Sequence, residues 1–264
     1  MHHNIHAHVP YSRLAEHLEY AIAHRINPEV FFQGETLDML VWEELSFLAT
    51  TLHDAGLRTT IHAPFIDLNP GSTDSSIRAA SRHRISQVMQ AAALLRPRAI
   101  VVHPGYDDLH YGDNQMVWLK NSIDFWQEFV PQARQLGTVL AIENIFEKEP
   151  STLKALLEAI DDPCFRHCFD IGHWNMFTVG TLEEWFRELG SYIVETHIHD
   201  NFGQNDEHLP VGEGAIDFLK FFPLLRSYAP DAVWTLEAHS TEHLQRALMN
   251  IQKFLAVHPP ELAP

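Results

Sequence analysis

Residues 139–170 decide the fold: Val139-Leu140-Ala141-Ile142-Glu143, then an amphipathic stretch over Thr152–Ile160, then Arg166-His167-Cys168-Phe169-Asp170. Two short apolar runs flank a segment of helical period, and each run ends in a carboxylate. Runs of this kind suit strands buried on both faces of a parallel sheet. The unit repeats along the chain. Other runs are Ile5–Val9, Glu29–Phe32, Arg58–Ile61, Ala99–Val102, Ile193–Ile198 and Ala232–Leu236. Between them lie helical patterns at Leu37–Ala55, Ile77–Leu95, Met116–Leu136, Leu182–Leu189, Ile216–Tyr228 and Thr241–Val257. Ser12, Ser151, Thr181 and Thr241 read as N-caps, with a capping box over Thr181-Leu182-Glu183-Glu184. Gly56, Pro97, Gly137 and Gly190 read as stops. Eight strand–helix units predict an α/β fold, a (β/α)₈ TIM barrel forming one domain over residues 1–264, with 258–264 a loose tail. A doubly wound open sheet fits the same alternation. No Gly-rich phosphate loop follows the first strand, which argues against dinucleotide binding.

Composition narrows the function. The chain has 264 residues and a formal net charge of −17, from 18 Lys plus Arg and 35 Asp plus Glu. Such a surface repels phosphate backbones and disfavours nucleic-acid partners, while attracting cations. The 19 histidines are a large supply of metal-ligand side chains. Cys164 and Cys168 read as small buried residues around a strand start and not as a disulfide framework. The N-terminal stretch lacks a signal-peptide core, and no apolar run reaches a membrane span of roughly 18 residues, so a soluble cytoplasmic protein is expected.

Functional side chains recur at one place in each unit. Strand after strand ends in a metal-ligand type: His62, His103, Glu143, Asp170 with His173 beyond it, His197 with His199, and Glu237. Asp206 and His208 lie in the loop before Gly212-Glu213-Gly214. In a barrel these ends converge on one face, where active sites lie. One strand-end histidine alone is most simply a core residue with a hydrogen-bond partner, and Asp170 alone is a helix cap. Six consecutive strands behaving this way need a cation, because burying several carboxylates without one is prohibitive. His197 and His199 share a strand face, so one binds metal and the other supports it. His2, His3, His6 and His8 read as a partial histidine run plus first-strand residues, with His8 near the site. His53, His83 and His243 read as solvated helix residues. Gly105–Gly112 is a candidate lid whose aromatics stack on a substrate, and Trp174 and Phe177 are candidate pocket walls.

The set His197-Ile198-His199-Asp200 with Asp206-Glu207-His208-Leu209-Pro210-Val211-Gly212-Glu213-Gly214 resembles the xylose-isomerase-like barrels, also called the AP endonuclease family 2 group. The resemblance runs from Ile5 to about Val257. Sugar isomerases and epimerases of this group hold one metal through two Glu, one Asp and one His. The matching residues here are Glu143, Asp170, His197 and Glu237, and the two Glu serve as acid and base. The endonuclease IV branch holds three zinc ions through nine ligands, which match His62, His103, Glu143, Asp170, His173, His197, Asp206, His208 and Glu237. The full set implies zinc or manganese, up to three ions, and catalytic roles for Glu143, Glu237 and Asp170. The nuclease's DNA-wedging pair appears as Phe65-Ile66, but the charge is wrong for DNA. The expected activity is therefore hydrolysis of a small phosphate ester or diester. The alternative is a sugar or sugar-phosphate isomerase or epimerase using Glu143 and Glu237. The substrate is a small molecule under either reading, and the oligomeric state is left open.

Overall fold

The structure, a computed structural model, describes residues 5–257. Eight parallel strands close into a barrel in chain order: β1 Ile5–Pro10, β2 Asn27–Phe31, β3 Thr60–His62, β4 Ala99–Val102, β5 Val139–Glu143, β6 Phe165–Asp170, β7 Ile193–Ile198 and β8 Val233–Leu236. Closure is direct, with Ile5, His6 and Ala7 of β1 pairing Trp234, Thr235 and Leu236 of β8. Closure settles the choice between barrel and open sheet.

Helices surround the barrel: α1 Tyr11–His24, α2 Gly34–Asp38, α3 Trp42–Asp54, α4 Ser75–Leu95, α5 Asp108–Tyr111, α6 Gln115–Leu136, α7 Ser151–Ile160, α8 Ile171–Phe177, α9 Leu182–Leu189, α10 Phe218–Tyr228 and α11 Thr241–Val257. Their apolar faces bury against the outer side of the strands. Ile61, Ile100, Val102, Leu140, Ile142, Phe169, Ile198 and Leu236 join that main core. Ala99, Val101, Ala141 and Cys168 form a separate small cluster inside the barrel. The period of two along each strand makes this split. It also aims the strand-end residues. His103, Glu143 and Asp170 each lie two residues beyond an inward Val101, Ala141 or Cys168, so each points into the barrel mouth.

Several local expectations are corrected. The pattern over Leu37–Ala55 is two helices, because Val41 is extended (φ −88, ψ 104) and Met39 and Val41 are exposed. The apolar spacing across Leu40-Val41 is therefore not a continuous helix face. Ser12 and Ser151 lie inside α1 and α7, whose N-caps are Pro10 and Pro150. Ser240 and not Thr241 caps α11, its hydroxyl accepting from the His243 N–H at 3.1 Å. The Thr181–Glu184 capping box is present as read. His53 is not simply solvated: its Nε2 donates to the Leu95 carbonyl at 3.0 Å. His2, His3 and the tail 258–264 lie outside the described residues. Among the described residues no helix is long and apolar enough to cross a membrane.

Candidate metal centre

The nine residues expected from sequence all meet at the C-terminal mouth of the barrel, and their donor atoms fall into three touching groups. In the first, Glu143 Oε2 faces His103 Nε2 at 3.1 Å and His62 Nε2 at 3.4 Å. In the second, His197 Nδ1 faces Glu143 Oε1 at 3.1 Å, Glu237 Oε1 at 3.5 Å and Asp170 Oδ2 at 3.7 Å. In the third, Asp206 Oδ2 faces His208 Nε2 at 2.9 Å and His173 Nε2 at 3.5 Å. Glu143 joins the first two groups through its two oxygens. His173 ties the third to them, its Nδ1 lying 3.3 Å from Glu143 and 3.4 Å from Asp170.

Backbone geometry holds these groups in place. Asp170 Oδ1 caps α8 by accepting from the His173 N–H at 2.7 Å, while Oδ2 turns to the mouth. The helix-cap and ligand readings of this residue are thus compatible. Asn144 clamps β5 to β6, donating to the Asp170 carbonyl at 2.8 Å and accepting from its N–H at 2.9 Å. His62 Nδ1 donates to the Ala63 carbonyl at 2.8 Å, which leaves the Nε2 lone pair facing Glu143. That tautomer is the one a metal-ligating imidazole needs.

The electrostatics call for positive charge. Glu143 is buried, which pushes its carboxyl up, yet His197 and His103 override burial and hold it well below the usual range. Glu237 moves the same way, burial being outweighed by His197, His208 and His8. Burial lowers His173, but Asp170, Asp206 and Glu143 raise it well above the usual histidine value. His208 is likewise raised to about 9, against burial, mainly by Asp206 and Glu237. Imidazolium protons thus supply the charge the carboxylates require. A divalent cation supplies the same charge through the same atoms. Glu143 Oε2 is buried beside the His103 and His62 nitrogens but makes no well-aligned hydrogen bond to either, an arrangement that suits an ion shared among the three. The donors, mixed imidazole and carboxylate, fit zinc, manganese or a similar divalent ion.

A family model described as the xylose isomerase-like TIM barrel matches residues 29–256. The chain belongs to the xylose isomerase-like TIM barrel family. An uncharacterized protein of Methanocaldococcus jannaschii is 30% identical over 206 residues, 75% of this chain and 70% of that one. A probable endonuclease 4 of Mycobacterium leprae is 27% identical over 177 residues, covering 64% and 69%. The L-ribulose-5-phosphate 3-epimerase UlaE of Escherichia coli is 27% identical over 201 residues, covering 73% and 69%. Among solved structures, a D-tagatose 3-epimerase-like protein superposes with a TM-score of 0.85 at 25% identity, over 98% of this chain and 100% of that one. The sequence-based preference for hydrolysis over isomerisation is not supported by these likenesses, which include an epimerase and an epimerase-like structure beside the endonuclease 4.

Within this family barrel, other residues complete the site. His199 also reaches these donor groups: its Nε2 lies 3.3 Å from Asp170 and 3.6 Å from Glu237, and its ring stacks on His208 at 4.1 Å. Gly172 makes room for that ring, because a methyl there would occupy the His199 position. Gly172→Ala is expected to push His199 off Asp170 and lower activity about a hundredfold, the usual effect of misplacing a group by an ångström. Turnover measured beside the circular-dichroism spectrum checks this, and an active variant would show that His199 is dispensable. Glu29 escaped the sequence reading. It is fully buried on β2, 2.9 Å from His8 Nδ1 and 3.2 Å from His197 Nε2. Its one sequence signal is a carboxylate inside an otherwise apolar strand.

The mouth opens into a cavity of about 1070 Å³, walled by Phe31, Phe65, Phe146 and Phe177. Phe65 lies flat on His103, ring centres 4.2 Å apart, whereas Ile66 points to solvent. Trp174 packs on the core and not on the cavity. The expected lid, Gly105–Gly112, contains the short helix α5. Its Tyr106, in the loop before α5, and Tyr111 are buried and stacked on each other, so they form fixed wall and not free aromatics. Among the described residues lining the cavity there is no lysine or arginine.

Proposed function

We propose that the chain is a divalent-metal-dependent isomerase or epimerase acting on a small polyhydroxy carbonyl compound. The observation that carries this reading is the convergence of Glu143, Asp170 and Glu237 on His197 Nδ1 from strands spread around the barrel. The absence of lysine and arginine from the described cavity lining favours a substrate without a phosphate arm, because a phosphate outside the ion site would find no basic partner. The same four residues would hold one ion, and a bound divalent ion supplies Lewis-acid polarisation of substrate oxygens. Glu143 on β5 and Glu237 beyond β8 reach the centre from separate strands of the barrel. One carboxylate withdraws a proton from the carbon and the other returns one, which inverts or relocates the stereocentre. The low pKa values of Glu143 and Glu237 keep the withdrawing group ionised, and the returning group draws the proton it delivers from a raised imidazole beside it, His173 for Glu143 at 3.3 Å or His208 for Glu237 at 3.8 Å. His8 Nδ1 lies 2.9 Å from Glu29 Oε1 and 3.6 Å from Glu237 Oε1, which sets its ring beside the acid–base pair.

The test is incubation of the chain with free ketoses in heavy water. Deuterium should enter a carbon-bound position, stop on chelation, and resume when manganese or zinc is restored. Ketoses recovered without deuterium or epimer from the metal-loaded chain would sink the proposal. A second reading, hydrolysis of a small phosphate ester or diester, rests on the outer donor groups around His62/His103 and Asp206/His208, which a single-ion site does not need. Three bound ions with phosphate release and no deuterium exchange would favour it.

A further inference from the structure

Glu29 is a fully buried carboxylate that touches two imidazoles from opposite oxygens. Oε2 faces His197 Nε2 at 3.2 Å, and Oε1 faces His8 Nδ1 at 2.9 Å. Thus His197 has a carboxylate on each side: Glu29 at Nε2, and the Glu143, Asp170 and Glu237 group at Nδ1. A neutral imidazole carries one proton and one lone pair, so the placement of the proton decides which nitrogen can bind a cation. Glu29 lies below the mouth, on the strand-interior side of His197, beside buried Glu195 and Thr60. It is a hydrogen-bond acceptor fixed by its strand.

We infer that Glu29 is the positioning residue of the centre: it takes the Nε2–H of His197 and the Nδ1–H of His8, leaving His197 Nδ1 as a free donor toward Glu143, Asp170 and Glu237. The arrangement is a carboxylate–imidazole–cation line, in which the outer carboxylate fixes the tautomer, holds the ring and raises ligand basicity. It also explains a full carboxylate buried on β2. A glutamine would fill the space, but it offers one acceptor and one NH₂ to the two rings, so it cannot accept from both His197 and His8 and carries no charge to raise the basicity of His197. His8 is bound by the same residue, so its ring is anchored at the cavity wall beside Glu237. The inference rests on the metal reading of the preceding subsection, and extends it to a residue outside the donor set.

The experiment compares metal affinity in four proteins: the unaltered chain, Glu29→Gln, His197→Ala and the double variant. Each is stripped with chelator and titrated with Zn²⁺ or Mn²⁺, with binding followed by calorimetry. Glu29→Gln should weaken the ion held at His197 by 10- to 100-fold. In the His197→Ala background the same change should have no further effect, because the residue acts through that ring. The cobalt-loaded absorption spectrum of Glu29→Gln should also shift from that of the unaltered chain, which a merely space-filling role would not produce. Glu29→Asp should restore part of the affinity. Unchanged affinity in Glu29→Gln overturns the inference and leaves the metal reading standing. An equal loss in the His197→Ala background overturns it too, by showing that Glu29 touches the ion itself. A chain that binds no divalent ion in any form overturns both.

Discussion

Replacing Glu143 by Gln is expected to lower turnover about 10³- to 10⁴-fold, the range for removing a positioned acid–base group, and to strip the centre of an ion. Glu143 lies within hydrogen-bond or ion-pair distance of four imidazoles: His62, His103, His173 and His197. Its two oxygens point into different donor groups, so one substitution affects both. Gln keeps the shape but not the charge. It cannot neutralise adjacent cations and cannot withdraw a proton from carbon. The fold should survive, because the loss is local to the mouth and the core of the barrel lies elsewhere. His173 and His197 keep other carboxylates beside them, Asp170 and Asp206 for the first and Glu29, Asp170 and Glu237 for the second, which limits the stability loss. Turnover, metal content and a thermal melt check the three parts. A variant that kept its metal and more than a tenth of its activity would remove Glu143 from the mechanism.

The barrel and its mouth were legible in sequence for one physical reason. Buried parallel strands read as apolar runs, and their inward residues obey a period of two. An ionisable residue ending such a run is therefore placed without coordinates. That argument located Glu143, Asp170, His197 and Glu237. It did not locate Glu29, because that carboxylate opens its run, before Val30-Phe31-Phe32, at the end away from the barrel mouth. Asn144 was invisible for another reason: its role is to mimic backbone between β5 and β6, and pairing is absent from a single sequence. The break between α2 and α3 also escaped, since no Gly or Pro marks it. The reaction was the least legible feature. A donor set specifies which charges a site can hold, whereas the cavity lining specifies what enters. That lining comes from Phe31 on β2, Phe65 and Phe146 on loops and Phe177 on α8, brought together only by closure.

Asp200→Ala is expected to cost about 3–5 kcal/mol, as loss of a buried hydrogen-bond network does, and to lower the melting temperature by roughly 10 °C for a chain of this size. Asp200 is fully buried just after β7. Its carboxylate accepts from four backbone N–H groups: Asn201 at 2.9 Å, Gly212 at 2.9 Å, Gly214 at 2.8 Å and Ile216 at 3.1 Å. Alanine would leave all four donors without their acceptor. Asn would fail as well, because its amide nitrogen would meet some of the same N–H groups. Gly214 belongs to this arrangement, since a methyl there would collide with the carboxylate. The segment pinned in this way carries Asp206 and His208. Asp200 and Leu209 exchange backbone hydrogen bonds at 2.9 and 2.8 Å, and His208 next to Leu209 holds a left-handed backbone (φ +49), costly for a non-glycine residue. Such a conformation persists only while its surroundings enforce it. Releasing the segment should therefore withdraw Asp206 and His208 from His173 while leaving Glu143, Asp170, His197 and Glu237 in place. The variant should lose affinity for an ion at the third donor group, with the His197 group retaining its own. Metal stoichiometry beside the thermal melt separates these effects. Equal loss from every group would mean that Asp200 supports the barrel as a whole, whereas a normal melt with full metal content would show that the pinned loop is held by other contacts.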